Sequence, residues 1–102
     1  MSDRISAFAE QVGKEVHVQG WAYNVRSSGS IAFLQLRDGS GFTQAVVAKD
    51  EVSPESWEAA SSMTIESSCE VRGVVHAHPK QAGVYELQAT DVLVVQRAEE
   101  FP

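Results

Sequence analysis

Residues 31–37, IAFLQLR, alternate strictly: Ala32, Leu34 and Leu36 share one parity, and Ile31, Phe33, Gln35 and Arg37 share the other. Period-two alternation is the signature of a strand with one face on a core and one toward water. The polar turn DGSG follows, and a second strand is predicted over 42–49, so the two runs form a hairpin. Upstream, EVHVQGWAYNVR alternates with Val16 and Val18 on one parity and is interrupted by Gly20, a residue that inside a strand marks a bulge or sharp bend. Downstream, SCEVRGVVHAH predicts a fourth strand broken at Gly73, and the turn HPKQAG leads into a fifth over 84–96, kinked near Thr90 and Asp91. Two segments change period. Ile5, Phe8, Ala9 and Val12 stand at i, i+3, i+4 and i+7, a one-sided helical stripe closed by Gly13 as its C′ residue. Ser53, Pro54 and Glu55 give an N-cap, a first-turn proline and an acid at the positive end of a helix dipole. The buried side of that helix is predicted to be Trp57 and Ala60, with Met63 or Ala59.

The order is therefore helix, three strands, helix, two strands, without internal repeat or linker. Five strands with a helix between the third and fourth, and a first strand bent so that it can pair on both sides, match the five-stranded Greek-key OB-fold barrel, an all-β class. An SH3-like barrel, the other small closed sheet, has no need of a helix at this place. At 102 residues the chain is read as one domain, 1–102, large enough for a single modest core.

Charge narrows the picture of the surface. The net charge of −6 argues against a generic nucleic-acid binder with a long basic track. The acids are unevenly placed, however. Asp50, Glu51, Glu55 and Glu58 cluster in one segment and Glu99 and Glu100 lie near the end, whereas between Arg26 and Lys49 there are three basic residues and one acid, Asp38. A small polynucleotide footprint fits there. Cys69 is the single cysteine and reads as a buried small hydrophobe; with no intrachain disulfide possible, the sequence points to a reducing, cytoplasmic setting. No apolar run approaches a membrane span, and the N-terminus lacks the apolar stretch of a secretory signal.

Catalytic chemistry finds no purchase. The GSG at 39–41 lacks the lysine and following helix of a phosphate-binding loop. No Ser/His/Asp arrangement can be proposed, and His76 and His78, on one face of a strand, have no obvious third ligand. The chain reads as a binding module. Its candidate face combines Phe33, an aromatic plane on which a base can stack; Gln44, whose amide donates and accepts at once; Glu86, which accepts only and suits the paired N–H groups of guanine; and Arg26, which can pair with phosphate or a base. Each also has a plainer reading: Phe33 covered by the N-terminal helix, Gln44 and Glu86 as solvated strand residues, Arg26 paired with a nearby acid.

The stretch EVHVQGWAYNVRSSGSIAFLQLRDGSGFTQAVV resembles the anticodon-binding OB domain of class IIb aminoacyl-tRNA synthetases, the group for aspartate, asparagine and lysine. The shared pattern comprises Val16, Val18, Gly20 and Trp21; Arg26 and Gly29; Phe33 to Gly41; and Gln44, Val46 and Val47. ESSCEVRGVV and GVYELQATDVLVV continue it, and AEEFP looks like the exit toward a hinge. SPESWEAA and the ending YELQATDVLVV…AEEFP are most similar to the asparaginyl enzymes, with the aspartyl enzymes second. The resemblance implies that Phe33 stacks on the central anticodon uridine, Gln44 hydrogen-bonds it, Arg26 contacts the anticodon loop and Glu86 reads the first anticodon base. The implied partner is tRNA, with no cofactor or metal in this segment. ATP, magnesium and a homodimer interface belong to the catalytic domain that family members carry downstream. The stop at Pro102, where a hinge would begin, points to an excised N-terminal domain. The rival is a freestanding OB module that binds single-stranded nucleic acid or a protein.

Overall fold

A computed structural model describes residues 3–78, 80–81 and 83–96, without the side chain of Gln96. The hinge-like AEEFP lies outside the described residues. Five strands close into a barrel: β1 (Glu15–Ser28), β2 (Ile31–Arg37), β3 (Phe42–Ala48), β4 (Ser67–Ala77) and β5 (Tyr85–Gln96). They run in the order β1-β2-β3-β5-β4, with β4 returning to β1; β3 and β5 are parallel and every other pair is antiparallel. Helix α1 (Pro54–Ser62) lies between β3 and β4. This is the OB-fold barrel that the order of elements predicts. None of the helices among the described residues is long and apolar enough to cross a membrane.

β1 serves two neighbours. Residues 15–22 pair with β4 and residues 21–28 with β2, so the strand turns a corner near Gly20. A Cβ at Gly20 would collide with the carbonyl oxygen of Arg37, and one at Gly73 with the carbonyl oxygen of Gln88. These two strand glycines are the places where backbones approach too closely for a side chain. Three breaks in register complete the curvature; one, near the end of β5, passes from Ser68↔Gln96 to Cys69↔Val94 and leaves Val95 over. Between β1 and β2 the register passes from Ala22↔Leu36 to Asn24↔Gln35 and leaves Tyr23 over. Between β4 and β5 it passes from Arg72↔Asp91 to Gly73↔Ala89 and leaves Thr90 over, where the kink is predicted.

The core is formed by the predicted parity of β2, Ala32, Leu34 and Leu36, with Val16, Val18, Ala45, Val47, Val71, Val75, Leu87 and Phe8. Cys69 belongs to it, and burial pushes its thiol up to about 11, which keeps it inert at neutral pH.

The helices depart from expectation in detail. The N-terminal helix is a 3₁₀ turn, Ile5–Glu10, in which Ile5 and Phe8 are buried while Ala9 and Val12 are exposed. At three residues per turn only i and i+3 stay in line, so the i+4 and i+7 positions rotate away from the barrel. Gly13 does not close a helix; its N–H donates to the Val75 carbonyl, beside an isolated bridge from Val12 to Val75. In α1 the cap and proline stand as predicted, with Ser53 Oγ accepting from Ser56 N. Its most buried residues are Ser56 and Ala60, with Met63 just beyond, while Trp57 and Ala59 are only partly covered.

Candidate nucleic-acid interface

Three adjacent strands, β1, β2 and β3, and the parallel β5 present one continuous outer face. The register sets its rows. Arg26 opposes Phe33, and Phe33 opposes Val46. One row along, Asn24 opposes Gln35, Gln35 opposes Gln44, and Gln44 opposes Glu86. Arg26, Phe33, Gln44 and Glu86 therefore fall on two neighbouring rows.

The bulge at Tyr23 is what makes this possible. In the first half of β1 the even-numbered residues, Val16, Val18 and Ala22, face the core. Strict alternation would send Arg26 inward with them. The extra residue switches the parity, so that Val25 packs against the core and Arg26 is exposed. Its guanidinium lies over the Phe33 ring, 5.8 Å from the centroid, within cation–π range. Arg26 takes part in neither of the two ion pairs found among the described residues, His17–Glu70 and Arg37–Glu66. Phe33 itself is half-buried. The N-terminal turn is held at the far end of the hairpin, where Ile5 N donates to Asp38 Oδ2 at 2.9 Å and Ser6 N to Ser40 Oγ at 3.2 Å.

On the second row the side chains are bonded to one another. Tyr23 Oη donates to Gln35 Oε1 at 3.3 Å, Gln35 Nε2 donates to Gln44 Oε1, and Gln44 Nε2 donates to Glu86 Oε2 at 2.7 Å. Gln44 and Glu86, whose plainer reading was that of separate solvated residues, are partners. Gln44 keeps one N–H and one oxygen lone pair free, a donor and an acceptor side by side.

These side chains line one wall of an open cleft of about 570 Å³ whose other wall is the N-terminal turn and the approach to β5. Ile5, Phe8, Val84 and Tyr85 give it apolar surface. Phe42, 69% exposed, stands at its rim and packs edge-on against Tyr23, with ring centroids 5.4 Å apart. Sequence reading missed Gln35, Tyr23 and Phe42. For Gln35 a signal existed: it shares the parity of Phe33, and a four-residue turn DGSG sets it opposite Gln44. Tyr23 likewise keeps the outward parity of His17, Gln19 and Trp21; only its bond to Gln35 depends on the register.

His78, weighed as a metal ligand, accepts the backbone N–H groups of Lys80 and Gln81 at its Nδ1, which gives the imidazole a role in the turn. Among the described residues, no three His, Cys, Asp or Glu side chains converge as a metal site. What the face offers is an aromatic plane under a cation, an amide with a free donor and acceptor, and a carboxylate. Together these suit an unpaired, planar, hydrogen-bonding ligand such as a nucleobase.

Comparison with known proteins is consistent with that chemistry. The chain is 48% identical over 98 residues to the asparagine–tRNA ligase of Sorangium cellulosum, a match covering 95% of this chain and 22% of that protein. It is 44% identical over 98 residues to the corresponding ligase of Desulforamulus reducens, covering 96% and 23%. Among solved structures, asparaginyl-tRNA synthetase from Pyrococcus horikoshii, complexed with asparaginyl-adenylate, superposes with a TM-score of 0.87 at 36% identity, covering 100% of this chain and 24% of that one. The chain thus spans just under a quarter of the length of each of these relatives. A model of the tRNA anticodon family, described as an OB-fold nucleic acid binding domain, matches residues 16–95. Since that match takes in all five strands and the whole of the outer face, this chain belongs to the tRNA anticodon family of OB-fold nucleic acid binding domains.

Proposed function

We propose that residues 1–102 act as one domain that selects tRNA by its anticodon on behalf of an asparagine–tRNA ligase. Phe33 stacks on the central base, a uridine; Gln44 hydrogen-bonds its edge; Glu86 accepts from the first base, a guanine; and Arg26 holds the loop. The observation that carries this reading is the juxtaposition of the Arg26–Phe33 stack with the free donor and acceptor of Gln44 on the neighbouring row. Uracil carries an N–H donor beside carbonyl acceptors, which the Gln44 amide complements. Bases splayed out of a loop, stacked on aromatics and read along these edges are the usual substrate of sequence-specific RNA recognition.

The remaining three quarters of the enzyme would activate asparagine with ATP and magnesium, transfer it to the tRNA 3′ end in the cytoplasm, and form the homodimer. No step of that reaction falls to the residues described here; their part is to choose which tRNA is presented.

Anticodon stem-loops test the reading directly. The domain should bind a stem-loop with guanosine first and uridine in the centre, and a central cytidine should weaken binding. Phe33→Ala should lower affinity about 5- to 150-fold, the equivalent of about 1–3 kcal/mol for a stacked base. Glu86→Ala should reduce discrimination at the first base. Equal affinity of the wild type for central uridine and central cytidine would exclude anticodon reading and favour a sequence-tolerant single-strand binder.

A further inference from the structure

We infer that Gln35 is a positioning residue that sets the specificity of the base-reading face: with Glu86, it fixes which way round the Gln44 amide stands. The inference rests on the anticodon reading above and adds a residue and a mechanism to it.

Along Tyr23–Gln35–Gln44–Glu86 every donor points toward Glu86. A carboxylate accepts only, so the Gln44 NH₂ must face Glu86 and its oxygen must face β2. Gln35 then has to turn its own NH₂ toward that oxygen, and its remaining oxygen is closed by the Tyr23 hydroxyl. One charge at the end of the row thus orders two amides that would otherwise rotate freely. Chains of this kind reinforce each member's polarity.

Amide orientation decides which pyrimidine fits. At positions 3 and 4 uracil offers a donor and then an acceptor, and cytosine offers the same pair in the opposite order. A glutamine that can rotate through half a turn accommodates either base. One held from both sides accommodates uracil and opposes cytosine. Phe33 cannot supply this discrimination, because both pyrimidines present a π-face. The selectivity therefore sits in the row behind the ring, and Gln35 contributes to it without touching the base.

Reversing the chain tests the inference. The measured quantity is the ratio of affinities of the 102-residue chain for two anticodon stem-loops, identical except for uridine or cytidine in the centre. The wild type should favour uridine by about 5- to 150-fold, the discrimination carried by a bidentate pair. Gln35→Glu puts a carboxylate on each side of Gln44, and the ratio should fall toward one. In the double variant Gln35→Glu, Glu86→Gln, net charge and hydrogen-bond count are preserved and the direction of both bonds to Gln44 is inverted. Its ratio should fall to one or below. Both stem-loops keep guanosine in the first position, so the loss of Glu86 there affects them equally. A merely structural role for Gln35 would weaken both stem-loops alike and leave the ratio untouched. A wild-type ratio retained in the double variant overturns the inference and leaves the anticodon reading intact. A wild-type ratio of one overturns both.

Discussion

At the scale of single residues, Asp38 shows how much of the site rests on one side chain outside it. Its Oδ1 accepts from Ser40 N at 2.8 Å, Ser40 Oγ at 2.6 Å and Gly41 N at 3.2 Å, which shapes the β2–β3 turn; its Oδ2 accepts from Ile5 N and ties the N-terminal turn to that hairpin. Burial pushes its pKa up, but the hydrogen bonds from the Ser40 hydroxyl and from the N–H groups of Ile5, Ser40 and Gly41 outweigh burial and hold it below the ordinary 3.8. The sign of the linkage follows. The stability Asp38 contributes is complete above its unfolded value and is lost as pH falls through the lower, folded one. Asp38→Ala should cost about 1–2 kcal/mol at neutral pH, low in the range for charged hydrogen bonds because the carboxylate is partly open to water. In urea titrations at a series of pH values, the gap between wild type and variant should close below about pH 4. A gap that stays constant into acid would mean that the hydrogen bonds do not depend on the charge.

At the scale of elements, α1 is joined to the barrel by a hydroxyl as well as by apolar packing. Ser56 Oγ donates to Asp91 Oδ1 at 2.6 Å and accepts from Val92 N at 3.0 Å. It thereby satisfies the backbone just past the Thr90 bulge, where the ladder is interrupted. Hydrophobic patterning put Trp57 on the buried side and passed over Ser56, because a buried serine is legible only once its partners are known. Ser56→Ala keeps helix propensity and shape but leaves a buried N–H unpaired, so it should destabilise the domain by about 1–3 kcal/mol. The measurement is equilibrium unfolding in urea, with Ser61→Ala as the exposed control on the same helix. Equal effects at the two positions would show that the bridge contributes nothing. The N-terminal element carries the opposite lesson. Its apolar stripe has helical period over ten residues, whereas the hydrogen bonds to Asp38 and Ser40 catch only its first turn and a 3₁₀ geometry suffices.

At the scale of the whole molecule, closure depends on Gly20 and Gly73, where one strand crosses close to the backbone of another. Neither obstacle is a flexible side chain; in each case it is a carbonyl in a paired strand. Gly73→Ala should therefore force β4 away from β5, costing at least about 1–3 kcal/mol, as overpacking of a close-packed interior does. Because β5 carries Glu86, the same variant should also weaken the discrimination between first anticodon bases, read by stem-loop binding under conditions where the variant remains folded. Normal stability in Gly73→Ala would mean that the strands can separate without penalty, and the glycine would then have no closing role.

Local patterning sets the strands and α1, their order and the barrel. Alternation in 31–37, the DGSG turn and the Ser53–Pro54 cap are local signals, and the glycines at 20 and 73 announced bends because a strand interior otherwise disfavours them. The sequence also supplied the four candidate residues: Phe33 from its place on the polar parity, and Gln44, Glu86 and Arg26 from their chemistry and the family resemblance. Tertiary structure decided what stands next to what. The pairing of Gln44 with Glu86 spans a parallel β3–β5 contact that no periodicity encodes. The outward turn of Arg26 depends on a single extra residue, since a bulge reverses inside and outside for everything beyond it. Local periodicity fixes which faces a strand has; only the closed barrel, with its bulges and its register, fixes which residues of distant strands share one of them.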